Sequence, residues 1–226
     1  MGFGSHEITP NNRFQRTSHK VRRPLNRDVG NMKKILIAIL ALALAIYLGF
    51  RIAISLMPDV YIVPFEDVSI DSANEWGKFL ADDLNIRVKV LGNASFPESA
   101  FNPDRRQYQT EAFADTVVHI RHNMRFIKSY AVFIGLLNKD MYPTTHSWRF
   151  CYLLNFLDGE RSRISILSTA RLSQEPSDDP QAYNTRLYKL FKRAIGFQLY
   201  GYNTSTNIAS VMYGPELWLD EMGTEY

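Results

Sequence analysis

From Ile35 to Met57 the chain reads ILIAILALALAIYLGFRIAISLM, 23 residues with Arg51 as the only charge. A helix of that length spans roughly 34 Å, enough to cross a hydrocarbon core with slight tilt. It has no polar face, and Arg51 lies near the far end, where a long side chain snorkels to the interface. The run predicts a transmembrane helix over 35–57. A cleaved signal peptide is the rival reading, since Lys33-Lys34 would serve as its basic start. The small-x-small sites at Ala41, Ala43 and Ala45 fall inside the apolar run, too early for cleavage. No cysteine directly follows the run, which excludes lipoprotein processing, and His6 stands where myristoylation of Gly2 needs Ser or Thr.

The flanks set an orientation. Residues 1–34 hold eight Lys/Arg against Glu7 and Asp28, a balance of +6 within a chain of net +3. The remainder is therefore acidic by three charges, and the basic character belongs to the tail rather than to a nucleic-acid surface. Excess Lys/Arg before the span places 1–34 in the cytoplasm and 58–226 on the extracytoplasmic side, periplasmic or at the cell surface. The tail is polar, basic and aperiodic, so disorder is expected there. Met32-Lys33-Lys34 also reads as a natural bacterial start, which leaves Met1 and Met32 both open as the first residue.

Residues 58–226 suffice for one α/β domain. VYIVPF (Val60–Phe65) is a short β-rich run, and Asp71 or Ser72 is placed to cap a helix through Leu84, with Glu75 at capping-box distance from Ser72. IRVKVL (Ile86–Leu91) alternates like a half-buried strand. A helix is expected over Gln107–Met124, and YAVFIGLL (Tyr130–Leu137) is a continuous apolar run suited to a central strand covered on both faces. Two more strands, Phe150–Phe156 and Ile164–Ser168, flank a turn at Asp158-Gly159-Glu160, and a last helix runs over Gln181–Leu199. The order is β-α-β-α-β-β-β-α, then a turn at Val211-Met212-Tyr213-Gly214-Pro215. Cys151 is the only cysteine, so no intrachain disulfide or cysteine-based zinc site can form.

Four stretches in this order, FNPDRRQY (Phe101–Tyr108), FIGLLNKDMY (Phe133–Tyr142), ISILSTARL (Ile164–Leu172) and the helix–Gly201–Met212 segment, resemble the archaemetzincins, small metzincin-type zinc proteases. The resemblance runs from about Tyr61 to Met222. It implies a compact metzincin-like α/β domain with a mixed β-sheet and an active-site helix followed by a Met-turn. The family's site reads HExxHxxGxxHC, then four residues, then CxM, with a CxxC pair further on. Two His at i and i+4 share a helix face and bind Zn²⁺, a third closes the site, and the Glu acts as general base. The family's cysteines build a second, structural zinc site.

Laid on that pattern without gaps from Gly201, Ala194 falls on the first His, Ile195 on the Glu, Gln198 on the second His and Thr204 on the third. Ser205 and Ser210 take the structural-zinc cysteine positions, and Met212 falls on the Met. A register displaced by one residue puts Phe197 and Asn203 on the second and third His, but breaks the cysteine and Met spacing. The scaffold positions Gly201 and Met212 match, while neither register supplies a zinc ligand or a base. No cofactor is expected. The former cleft is expected to be partly filled by apolar side chains, including Phe197 or Tyr200.

Other groups could carry chemistry. His119 and His122, three apart on a helix with Asp115 one turn before, form an alternative metal pair. Ser168-Thr169-Ala170-Arg171 shows no local base. Asp140 and Tyr142 at a strand end, with Arg105, Arg106 and Gln107, are candidates for binding, the last three first as fold-specifying contacts. The expectation is a membrane-anchored, catalytically inactive archaemetzincin-like domain that binds a peptide, a protein or an envelope component. A hydrolase using a non-standard site and a structural or assembly subunit are the rivals. An open groove beside a sheet edge would favour peptide binding, and a filled cleft with a broad apolar patch elsewhere would favour assembly.

Overall fold

The computed structural model describes residues 25–172, 180–207 and 210–213. Helix α1 (Leu25–Ser55) contains a stretch, Asn31–Ser55, long and apolar enough to cross a membrane or to serve as a signal sequence. It starts ten residues before the apolar run. Residues 1–24 lie outside the described part.

The rest is a mixed α/β domain. Its elements are β1 (Val60–Pro64), α2 (Ile70–Leu84), β2 (Val88–Val90), β3 (Phe101–Asn102), β4 (Gln107–Gln109), α3 (Thr110–Asn123), β5 (Val132–Leu137), β6 (Met141–Tyr142), β7 (Leu153–Phe156), β8 (Ile164–Ser168) and α4 (Pro180–Gln198). The main sheet has the order β2-β1-β5-β8-β7, with all pairs parallel except β7 with β8. Every residue of β1, β5 and β8 is buried. That is why β1 and β5 read as continuous apolar runs, while β8 keeps Ser165 and Ser168 buried, each with a hydrogen-bond partner.

The alternation survives as a division between two layers. Tyr61, Val63, Phe133 and Ile166 share a core cluster with Phe113 and Val117 of α3. Ile62, Ile134, Leu136 and Leu167 share the other with Leu80 of α2 and Leu187, Leu190 and Phe191 of α4. Helices thus cover both faces, as period-2 side-chain placement requires.

Several boundaries differ from expectation for local reasons. α2 is preceded by Ser69, without a side-chain cap bond, so the capping box from Ser72 does not form. Ile86 donates its N–H to Ala81 O in the closing turn of α2, which removes it from β2. The segment Gln107–Gln109 pairs with β3 and β6 in a second, three-stranded sheet, so α3 begins three residues later than its periodicity suggests. Phe150 to Tyr152 stay out of β7, with Cys151 instead bridging to Met141.

Cys151 is buried, and burial pushes its thiol up to about 12. Its thiolate is the reactive form. The folded chain is therefore expected to resist alkylation by iodoacetamide at about pH 8, where an ordinary thiol near pKa ~8.5 is partly ionised. Mass spectrometry should find one added group only after unfolding. Rapid stoichiometric labelling of the folded chain would contradict this packing.

Candidate functional site

The C-terminal half of α4 presents two faces. Leu187, Leu190, Phe191, Ala194 and Ile195 form a stripe at helical spacing, buried against the sheet. Gln198 continues this stripe, and its Nε2 donates to Phe156 O at 3.1 Å and Ile164 O at 2.9 Å. The other face turns toward the Met212 turn. A Cβ on Gly196 would lie 2.7 Å from Met212 Sδ, so only glycine admits the methionine at that distance. Arg193 Nη1 donates to Tyr213 O at 2.8 Å, and its guanidinium lies 5.8 Å from the centre of the Phe197 ring. Burial pulls the Arg193 pKa below its usual value.

The chain leaves α4 through Gly201 at φ 67, in the left-handed region that favours glycine. Tyr202 N–H donates back to Gly196 O at 2.9 Å, and Ser205 N–H donates to Met212 O at 2.8 Å. Thr204 is exposed, Ser205 Oγ accepts from Asn207 N–H, and Ser210 Oγ accepts from Met212 N–H. Phe197 is half-buried, whereas Tyr200 is exposed and stacks on Tyr202 at 5.5 Å. Tyr200 therefore does not fill a cleft.

A second constellation lies at the C-terminal ends of β5 and β8. Arg171 grips Asp140 through two bonds, Nε to Oδ1 at 2.7 Å and Nη2 to Oδ2 at 2.5 Å. Gln107 Nε2 donates to the same Oδ2 at 2.9 Å, and Arg105 Nε donates to Gln107 Oε1 at 3.2 Å. Arg105 also stacks over the Tyr142 ring at 4.0 Å, and Asn102 Nδ2 donates to the Tyr142 hydroxyl. The pairing of β4 with β6 is what brings the 105–107 turn to the end of β5. The bond to Asp140 raises the Arg171 pKa further. Of the binding candidates, Arg105, Gln107 and Asp140 line one open cleft of about 460 Å³, joined by Arg171 and by Arg149 and Phe150, which sequence reasoning did not single out. Arg106 sits exposed in the turn at φ 53.

The remaining candidates do not assemble. His119 is exposed and pairs with Asn123 at 3.0 Å, while Asp115 is held by Arg161 through bonds of 2.6 and 2.8 Å. Among the described residues no group of three or more His, Cys, Asp or Glu is placed to hold a metal. Ser168 Oγ donates to Lys139 O at 2.6 Å, and Thr169 Oγ1 to Asn138 Oδ1 at 3.0 Å, structural bonds that commit both hydroxyl protons.

No protein-family model and no curated protein sequence matches the chain. Solved structures do. An archaemetzincin from Methanopyrus kandleri superposes with a TM-score of 0.57 at 24% identity, over 74% of this chain and 86% of that one. A zinc-dependent peptidase from Methanocorpusculum labreanum gives 0.58 at 21% identity, over 72% and 91%. An archaemetzincin from Archaeoglobus fulgidus, complexed with malonate, gives 0.54 at 23% identity, over 72% and 89%.

The fold is that of the archaemetzincins.

An archaemetzincin fold implies zinc, and the residues present do not fit it. Ala194 and Ile195 are 0% exposed and apolar. Both amide hydrogens of Gln198 are committed to carbonyls of the sheet. Arg193, on the face that meets Met212, is a permanent cation with no lone pair to give. No step of metal-assisted hydrolysis can be assigned to these side chains.

Proposed function

We propose that this chain is a membrane-anchored protein whose archaemetzincin fold has lost metallopeptidase chemistry and serves to bind a peptide or protein. The observation that carries the reading is the make-up of α4 where it meets Met212. Of the two possible registers, the displaced one has the better support. It places Arg193 and Ala194 on the first His and the Glu, with Phe197 and Asn203 on the second and third His. Arg193 and Gly196 touch the Met212 turn, whereas Ala194, Ile195 and Gln198 of the gapless register turn into the core. In either register a divalent cation would find no imidazole or carboxylate, and in the displaced one it would meet a like charge. Neither Ala194 nor Ile195 can move a proton.

The anchor is α1, with Lys33 and Lys34 preceding its apolar stretch. By the positive-inside tendency this sets the N-terminus in the cytoplasm and residues 58–226 outside it. Binding of an extended peptide is favoured by β7, which among the described residues pairs within the sheet only with β8 and so leaves its outer edge for strand addition.

The test is elemental analysis of the purified full chain after dialysis, followed by a peptidase assay with added zinc. Zinc far below one equivalent and no hydrolysis are expected. Zinc near one equivalent would overturn the inactive reading and send His119 and His122 first to mutagenesis.

A further inference from the structure

The cleft lined by Arg105, Gln107, Asp140, Arg149, Phe150 and Arg171 lies beyond the C-terminal ends of β5 and β8. Gln198 and the Met212 turn lie at the other end of β8, since Gln198 bonds to Ile164 O. The cleft is thus separate from the degenerate metal position. It holds three guanidinium groups and one carboxylate. Asp140 is fully engaged by Arg171 and Gln107 and offsets one charge, which leaves the cleft with two positive charges in excess.

Two of the three arginines are fixed before any ligand arrives. Arg105 donates through Nη2 to Trp148 O and Arg149 O at 3.1 Å each and lies against Tyr142. Arg171 is clamped on Asp140 and lies over the Phe150 ring at 4.1 Å. The Nη1 groups of both, and the whole guanidinium of exposed Arg149, have no hydrogen-bond partner among the described residues. The loop that carries Arg149 is itself pinned, because buried Glu111 accepts from Thr144 N–H at 2.8 Å and from Thr145 N–H at 3.2 Å. Converging cations held in place against mutual repulsion favour an anion that satisfies them, and preorganisation lowers the ordering cost of binding it. Guanidinium forks match the oxygens of phosphate, and a phosphate monoester carries about −1.5 to −2 charges near neutral pH, close to the excess here.

We propose that this cleft binds a phosphate monoester, with Arg105 and Arg171 as the preformed wall and Arg149 closing on the ligand. The inference does not depend on the loss of zinc chemistry. The test uses the full chain in phosphatidylcholine nanodiscs, titrated with inorganic phosphate by calorimetry at constant ionic strength. Saturable binding is expected, weakened about tenfold or more in Arg149→Ala, the scale of one lost charge-assisted hydrogen bond, and partly restored in Arg149→Lys. Among the described residues the Arg149 side chain holds no other side chain in place, so circular dichroism of these variants should match the parent. Nanodiscs containing phosphatidic acid separate two sources of the ligand. An unchanged phosphate affinity indicates a soluble phosphomonoester, and a weakened one indicates a competing lipid headgroup. Absence of saturable binding, or equal binding by Arg149→Ala, overturns the proposal.

Discussion

Phe133→Ala is expected to destabilise the α/β domain by about 3–5 kcal/mol, the usual cost of deleting a fully buried phenyl ring. Phe133 is 0% exposed at the centre of the main sheet, paired in register with Tyr61 of β1 on one side and Ile164 of β8 on the other. Its ring stacks on Tyr61 with centroids 4.7 Å apart and planes within 10°. Removing it opens a cavity in the layer shared with α3, and the neighbouring strands cannot close over it without breaking their register. For a domain of this size the loss corresponds to a fall in Tm of roughly 6–20 °C. Urea unfolding of the full chain, followed by tryptophan fluorescence, measures it. Phe133→Leu should cost less, because it leaves a smaller void. A loss under about 1 kcal/mol for the alanine variant would mean that Phe133 is not in the core.

The strands that are buried on both faces were legible in the sequence because burial leaves a continuous apolar run. Tyr130–Leu137 announces itself that way, and α4 does so through its 3.6-residue stripe. The second sheet was not legible. Its strands are two or three residues long, and Gln107-Tyr108-Gln109 carries too little apolar pattern to separate it from the helix that follows without a break. Its existence depends on pairing with Met141-Tyr142, a contact between segments more than thirty residues apart.

The candidate sites divide the same way. That no metal ligand stands near Gly201 is a fact of composition and needs no structure. Which residues of α4 face the Met212 turn is not, because it depends on how the helix is rotated over the sheet. Ala194, Ile195 and Gln198 look equally suited to either face until Leu187, Leu190 and Phe191 are seen to form one stripe with them. In the arginine cleft, FNPDRRQY and Asp140 stood out as motif-like polar residues. Arg149 precedes the expected strand Phe150–Phe156, and Arg171 stood out only beside Ser168 and Thr169, so neither pointed to a shared cleft. Only the parallel alignment of β5 and β8 places Asp140 and Arg171 side by side, each three residues past the end of its strand.

Asp140→Ala therefore tests the tertiary assembly of the cleft more directly than any change in a single element. The carboxylate accepts three side-chain bonds, two from Arg171 and one from Gln107, and its backbone oxygen accepts from Tyr108 N–H at 2.9 Å. Only the side-chain bonds are lost on substitution, so β4 stays attached to β6 and the domain should still fold. Arg171 and Asp140 retain 28% and 27% side-chain exposure, so water can reach the abandoned guanidinium. The expected cost is accordingly about 2–3 kcal/mol, below the 3–5 kcal/mol typical of breaking a fully buried pair. Arg171→Met keeps much of the packing over Phe150 while removing the charge. In a double-mutant cycle the two changes should couple by about 2 kcal/mol, because the second adds little once the first has broken the pair. Additive costs would mean that Asp140 and Arg171 do not meet in solution. The cleft would then lose both its preformed wall and the charge balance that makes a dianion its fitting ligand.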